Sequence, residues 1–276
     1  MTHLRIGYST CPNDTYTFAG LPGLEDNSPV TFEPVLADVE TLNGWALEKR
    51  LDITKLSFFA FGKVREQYAL LHAGAALGRG CGPVIVARPG TSLHELGKGI
   101  VAAPGNLTTA RLLLTLYLGK EPPFKQMVFS EVMPAVREGK ADFGLVIHEG
   151  RFTYREHNLE VLLDLGEWWE KETGFPIPLG GISMRRDLGG DLARDVDRCI
   201  RASLTLARNG SKTVMDYVMA HAQEMITLVV QQHIDLYVNQ FSEDLGEEGR
   251  EAIRFLMNQA EKAGWVEPCS LPLMAY

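Results

Sequence analysis

In the stretch DFGLVIHEGRFTY, an apolar run from Phe143 to Ile147 leads directly into His148 and Glu149, with Arg151 and Tyr154 in the same turn. An imidazole on a loop at the end of a buried strand titrates near neutrality, which suits a general base. Most loop histidines simply bond to backbone. Here the crowding of Glu149, Arg151 and Tyr154 around one turn favours chemistry or ligand gripping. A zinc-protease HExxH motif would need a histidine at position 152, where the chain has Phe152, so no metal site is expected.

Three other stretches offer polar groups at similar places. GIVAAPGNLTTARLLL reads as a strand, a Pro-Gly-Asn turn and a helix opening at Thr108 and Thr109. Free first-turn amides and two hydroxyls there would receive a carboxylate or phosphate, or a threonine would merely cap the helix. DITKLSFFAF places Lys55, Leu56 and Ser57 at another strand end, with Lys55 either an anion partner or an ordinary surface lysine. STCPNDTYTF offers Ser9, Asn13 and Asp14, which a simple Pro-Asn-Asp turn largely explains. GRGCGP lacks GxGxxG spacing and precedes a strand, so no dinucleotide is implied, and its glycines suit a close crossing of chain between lobes. No P-loop and no GxSxG elbow is present.

These residues need elements to carry them. Strands are expected at Leu4–Ser9, Val30–Ala37, from Asp52, within Gly80–Gly90, within Gly99–Gly105 and before His148, with helices between most of them. That alternation predicts parallel α/β construction. Ala46–Ser57 and Ala135–His148 also echo one another: a charged helix end, an aspartate (Asp52 or Asp142), then a strand. Two similar lobes, each presenting strand carboxyl ends to a shared cleft, would produce the echo. After about Gly181 the apolar spacing becomes helical throughout. Trp168–Ser183, rich in aromatics and prolines, is read equally as a cleft wall or as a packed return between lobes.

Composition narrows the partners. With 45% hydrophobic residues the chain can bury a sizeable core. Its 27 basic against 35 acidic residues, net −8, disfavour nucleic acid. The apolar runs are too short to span a bilayer, the first residues carry no leader pattern, and a cytoplasmic protein is the expectation. The four scattered cysteines read as reduced thiols.

Taken together, STCPNDTYTF, KLSFFAFG, GRGCGPVIV, GNLTTARLLL and above all GLVIHEGRFTY resemble the 1,4-dihydroxy-6-naphthoate synthases of the futalosine route to menaquinone, from about Leu4 to Ser183. The resemblance implies a two-lobe α/β fold like the type II periplasmic binding proteins, with a cleft between lobes and a helical C-terminal part. The larger lobe would comprise residues 1–87 and 181–276, the smaller one 88–180. It implies a lyase without cofactor, acting on a small carboxylated substrate, cyclic dehypoxanthine futalosine. His148 would be the proton acceptor, and Lys55, Leu56, Ser57, Thr108 and Thr109 would contact substrate. A homodimer is left open. The rivals are the chorismate dehydratase of the same pathway, which should lack HEGRFTY, and a non-catalytic solute-binding protein.

Overall fold

A computed structural model describes residues 2–27, 29–210, 212–222 and 226–276. Two sheets form. The first takes β1 (Thr2–Tyr8), β2 (Val30–Leu36), β3 (Ile53–Ser57), β4 (Tyr68–Leu70), β5 (Ala76–Gly78) and β11 (Ile177–Arg185); the second takes β6 (Val84–Ala87), β7 (Val101–Ala103), β8 (Phe124–Gln126), β9 (Phe143–Val146) and β10 (Glu160–Asp164). Strand order is β2-β1-β3-β11-β4, with β5 beside β11, and β10-β6-β9-β7-β8.

The sequence pattern predicts parallel sheets, and each sheet does hold a parallel trio, β2-β1-β3 and β9-β7-β8. The rest is antiparallel: β11 against β3, β4 and β5, and β6 against β9 and β10. The strands that follow each passage between sheets, β6 and β11, both enter in reverse. The chain passes between the sheets at residues 79–83 and 165–176. At the crossing the two segments meet backbone to backbone. A Cβ on Gly82 would lie 2.3 Å from the Gly166 Cα, so only glycine fits.

Helices join the strands: α1 (Pro12–Phe18), α2 (Val39–Leu47), α3 (Phe58–Val64), α4 (Thr109–Leu118), α5 (Phe129–Arg137), α6 (Gly150–Thr153) and α7 (Leu165–Thr173). Asp38 caps α2, accepting from Glu40 N and Thr41 N. The C-terminal part is helical as its periodicity indicates: α8 (Gly190–Arg208), α9 (Lys212–His221), α10 (Thr227–Tyr237), α11 (Gln240–Glu243) and α12 (Gly246–Lys262). Buried α8 residues Val196, Ile200 and Leu204 pack with Leu4, Ile6 and Ile53 of the first sheet.

The echo between Asp52 and Asp142 is realised in hydrogen bonds. Asp52 Oδ2 accepts from Arg5 N (2.9 Å) on β1, and Asp142 Oδ2 accepts from Ile100 N (2.8 Å) at the start of β7. Each aspartate thus pins the parallel partner of the strand it begins. One apolar cluster runs through both sheets, from Leu56 and Phe58 to Leu113, Phe143 and Leu145, with Trp169 and Ile253. Trp169 is buried, donates to Pro176 O and packs edge-on against Phe255. The tryptophans of the return segment are therefore packing residues, and only Leu179 and Gly180 of that segment reach the cleft.

Candidate active site in the cleft

The parallel strands of both sheets end at one cavity. Ser9 follows β1, Ser57 closes β3, Thr108 stands after β7, and His148 stands just beyond β9; all four line it. Carboxyl ends of parallel strands leave unpaired backbone and mobile side chains, which is where open α/β sheets bind ligands. Lys55, Leu56, Ser57, Thr108, Thr109 and His148, which the family resemblance puts at the substrate, all line this space, as do Ser9, Asn13 and Asp14; Arg151 and Tyr154 do not. A wider outer chamber shares Ser9, Val39, Ile147 and His148 with it and adds Cys11 and Glu149. His148 thus stands at the junction of the two.

The local backbone explains why His148 is presented. Its φ is 52°, a left-handed conformation that ends β9 abruptly and turns the chain into α6. Such conformations cost about 1–3 kcal/mol in non-glycine residues and persist where the surroundings fix them. The imidazole lies edge-on to Phe129 (6.0 Å between centroids) and parallel to the ring of His233 (5.8 Å, 14°). Burial pushes the His148 pKa below its ordinary 6.5; Glu149 and Asp14 pull it back up, and Lys55 pushes it further down. The ring is therefore neutral at pH 7, the state a base requires.

Lys55 is no surface lysine. It is buried, 3.1 Å from Asp14 Oδ1, and donates to Gly74 O (3.0 Å). Asp14 also accepts from Ser9 N, Ser9 Oγ and Asn13 Nδ2. PNDT is accordingly more than a turn: Pro12 opens α1 at the position that tolerates a missing N–H, and Asn13 and Asp14 are buried in the site. Ser57 accepts from Asn43 Nδ2 (3.2 Å), and its own N–H donates to Asn43 Oδ1 (3.0 Å).

Thr108 both caps α4, accepting from Arg111 N (3.3 Å), and lines the cavity. The Thr109 hydroxyl donates to Leu179 O and accepts from Phe59 N (3.4 Å), tying α4 to the first sheet. Of the first-turn amides of α4, Arg111 N is taken by Thr108, which leaves those of Thr109 and Ala110 without an intrahelical acceptor, at the positive end of the helix dipole and in residues that line the cavity. Opposite, Glu40 of α2 accepts from Asn106 N (2.5 Å) and Leu107 N (3.0 Å), so a carboxylate of one lobe holds the loop of the other.

Two residues escaped sequence reasoning. His233 and Tyr237, both on α10, stand at the site: Tyr237 lines the cavity and His233 stacks on His148. The signal was there in the period, since Val230, His233, Ile234 and Tyr237 make one buried helical face with an imidazole in an apolar position. Arg151 pairs with Asp164 (2.6 Å) and donates to Gly82 O (2.7 Å), bracing the lobe crossing.

Among the described residues one group of donors is close enough for a metal ion, Cys11, His148 and Glu149, within 4.8 Å of one another. Burial, then Glu149 and Asp14, hold the Cys11 thiol well above its ordinary value, so in the free protein it stands there as a thiol and not a thiolate. No helix among the described residues is long and apolar enough to cross a membrane.

Two α/β lobes with strand ends and ionisable side chains meeting in one cleft define a protein of periplasmic-binding-protein-like fold. An alkanesulfonate-binding protein from Xanthomonas axonopodis pv. citri superposes with a TM-score of 0.71 over 97% of this chain and 95% of its own, at 13% identity, a likeness of fold alone. A crystal structure of an Archaeoglobus fulgidus protein matches with a TM-score of 0.89, covering 96% and 98% of the two chains at 31% identity. A family model described as menaquinone biosynthesis matches residues 4–262. A 1,4-dihydroxy-6-naphthoate synthase of Thermus thermophilus is 47% identical over 274 residues, 99% of each chain. One of Streptomyces coelicolor is 42% identical over 278 residues, 99% of this chain and 98% of its own. The chain belongs to the menaquinone biosynthesis family.

Proposed function

We propose that the protein is a 1,4-dihydroxy-6-naphthoate synthase acting in the cytoplasm, a carbon–carbon lyase that cleaves cyclic dehypoxanthine futalosine to 1,4-dihydroxy-6-naphthoate and dihydroxyacetone. The observation that carries this reading is the placement of a neutral His148 on the wall of the cavity that also holds Lys55–Ser57 and the Thr108–Thr109 turn. Full-length similarity to two enzymes of that name supports it.

In this reading His148 takes a proton from bound substrate. The first-turn amides of α4, with Thr108 and Thr109, hold the substrate carboxylate or a developing enolate oxygen, charge stabilisation that is strongest where water is excluded. Ser57, held by Asn43, contacts a substrate oxygen. Lys55 has its charge balanced by Asp14 and serves to keep the Asp14 network rigid as well as to face substrate. The aromatic product supplies driving force, and the scheme calls for no redox cofactor.

The test is incubation of the purified protein with cyclic dehypoxanthine futalosine and mass detection of dihydroxynaphthoate, with chorismate as the control substrate. His148→Asn should lower kcat by about a thousandfold, within the range that general base catalysis supplies, with substrate affinity largely kept. Tight binding by the native protein with no turnover would sink the lyase reading in favour of a solute-binding protein.

A further inference from the structure

The hydrogen bonds behind His148 determine the proton on a second histidine. Asp14 takes four donors, from Ser9 N, Ser9 Oγ, Lys55 Nζ and Asn13 Nδ2, and is an acceptor only. Asn13 therefore turns its amide nitrogen to Asp14 (2.9 Å) and its carbonyl oxygen to His233 Nε2 (2.8 Å). An amide oxygen cannot donate, so Nε2 of His233 carries a hydrogen.

That assignment leaves His233 Nδ1 facing Glu149 Oε2 at 3.6 Å. Both atoms are buried, and neither has a hydrogen-bond partner among the described residues. The His233 side chain is 0% exposed and that of Glu149 10%. With no proton between them, a ring lone pair would face a carboxylate lone pair inside the protein, an uncompensated cost. One proton, with the two atoms drawn a few tenths of an ångström closer, converts that repulsion into a hydrogen bond. Written as Oε2–H···Nδ1 or as Oε2⁻···H–Nδ1, the pair has zero net charge.

We propose that Glu149 and His233 hold one proton between them in the resting protein and act as the positioning pair of His148. Glu149 is the next residue in the chain to His148, and anchoring its carboxyl fixes the left-handed turn that presents the imidazole. His233 supplies the ring against which His148 lies parallel. The charged and titratable groups around the pair are Cys11 and Asp14 of the β1–α1 segment, Lys55 of β3, His148 after β9, and Tyr237 one turn along α10, its ring 4.6 Å from that of His233. Burial and then His148 push the His233 imidazole well below its ordinary value. Loss of that proton at alkaline pH would restore the repulsion and loosen the turn under His148.

The kinetic arm of the test rests on the reading of His148 as the base, and the spectroscopic arm does not. Nitrogen-15 NMR of the full chain labelled at histidine should show His233 with a protonated Nε2 and with Nδ1 in the hydrogen-bonded class at pH 7. In Glu149→Ala the Nδ1 signal should move to that of a free nitrogen. A wild-type Nδ1 signal of a free nitrogen across the pH range, equal to that of the alanine variant, overturns the proposal. Because the wild-type spectrum decides this, a variant that fails to fold does not remove the test.

In turnover, wild-type kcat/KM should fall on the alkaline side. Glu149→Gln donates an amide hydrogen to Nδ1 at every pH; it should lose that alkaline fall and cost about threefold, against about thirtyfold or more for Glu149→Ala. A glutamine variant as damaged as the alanine one, with the alkaline fall unmoved, would count against the pair. Protein that turns over no futalosine substrate yet shows the bonded Nδ1 signal would remove the proposed function and leave the shared proton standing.

Discussion

At the scale of single residues, the depressed pKa of His148 has a kinetic signature. A protonated ring accepts nothing, so kcat/KM should be lost as pH falls through a value below the ordinary 6.5 and be level on the acid side by pH 7. A pH profile checks this; an acid limb centred well above 6.5 would mean that neighbouring carboxylates outweigh burial. His148 was legible in the sequence because a strand end and an imidazole coincide there. His233 was not, since it comes 85 positions later in a helix whose chain position says nothing of the cleft. Asp14 was underread for a different reason: Pro-Asn-Asp is ordinary turn chemistry, and only burial beside Lys55 reveals its role as the acceptor that orders Ser9, Asn13 and the lysine.

At the scale of elements, two glycines decide whether the lobes can meet. A methyl at position 82 would fall 2.3 Å from both Cα and N of Gly166, backbone atoms that cannot rotate away. Gly82→Ala should therefore destabilise the protein by about 2 kcal/mol or more, read as a lower urea midpoint at unchanged m-value. The glycine-rich spacing pointed to a close crossing, but not to what it crosses, because Gly166 sits inside a stretch whose local pattern is helical. Strands β1, β2, β3, β7 and β9 were readable from apolar runs bounded by turns. The antiparallel entry of β6 and β11 was not, because strand direction depends on which sheet the chain joins, and that is decided by contacts far away in sequence. Thr108 shows why motif and cap need not compete: one hydroxyl oxygen accepts from Arg111 N while the residue still faces the cavity.

At the scale of the whole molecule, Glu40 joins the lobes. Its carboxylate takes the amides of Asn106 and Leu107, and a Cβ on Gly105 would collide with it. Hydrogen bonds to a charged group contribute about 1.5–3 kcal/mol each. Glu40→Ala should therefore shift the free protein toward an open cleft, with a larger radius of gyration by small-angle scattering and KM raised about tenfold while kcat changes less. An unchanged radius and KM would show that the shared apolar core alone holds the lobes closed. The two-lobe plan itself was visible in the Asp52 and Asp142 echo, although the apolar cluster shared by both sheets was not.

That plan also orders events during synthesis. The second sheet is drawn from one continuous stretch, Val84 to Asp164, whereas the first waits for β11, which ends at Arg185 and must slot between β3 and β4. A chain emerging from the ribosome at about 5–20 residues per second can complete its middle before its beginning. The N-terminal strands, with the Asp14 network and Ser57, must remain unpaired on one side until then, the interval in which a nascent chain most needs a chaperone.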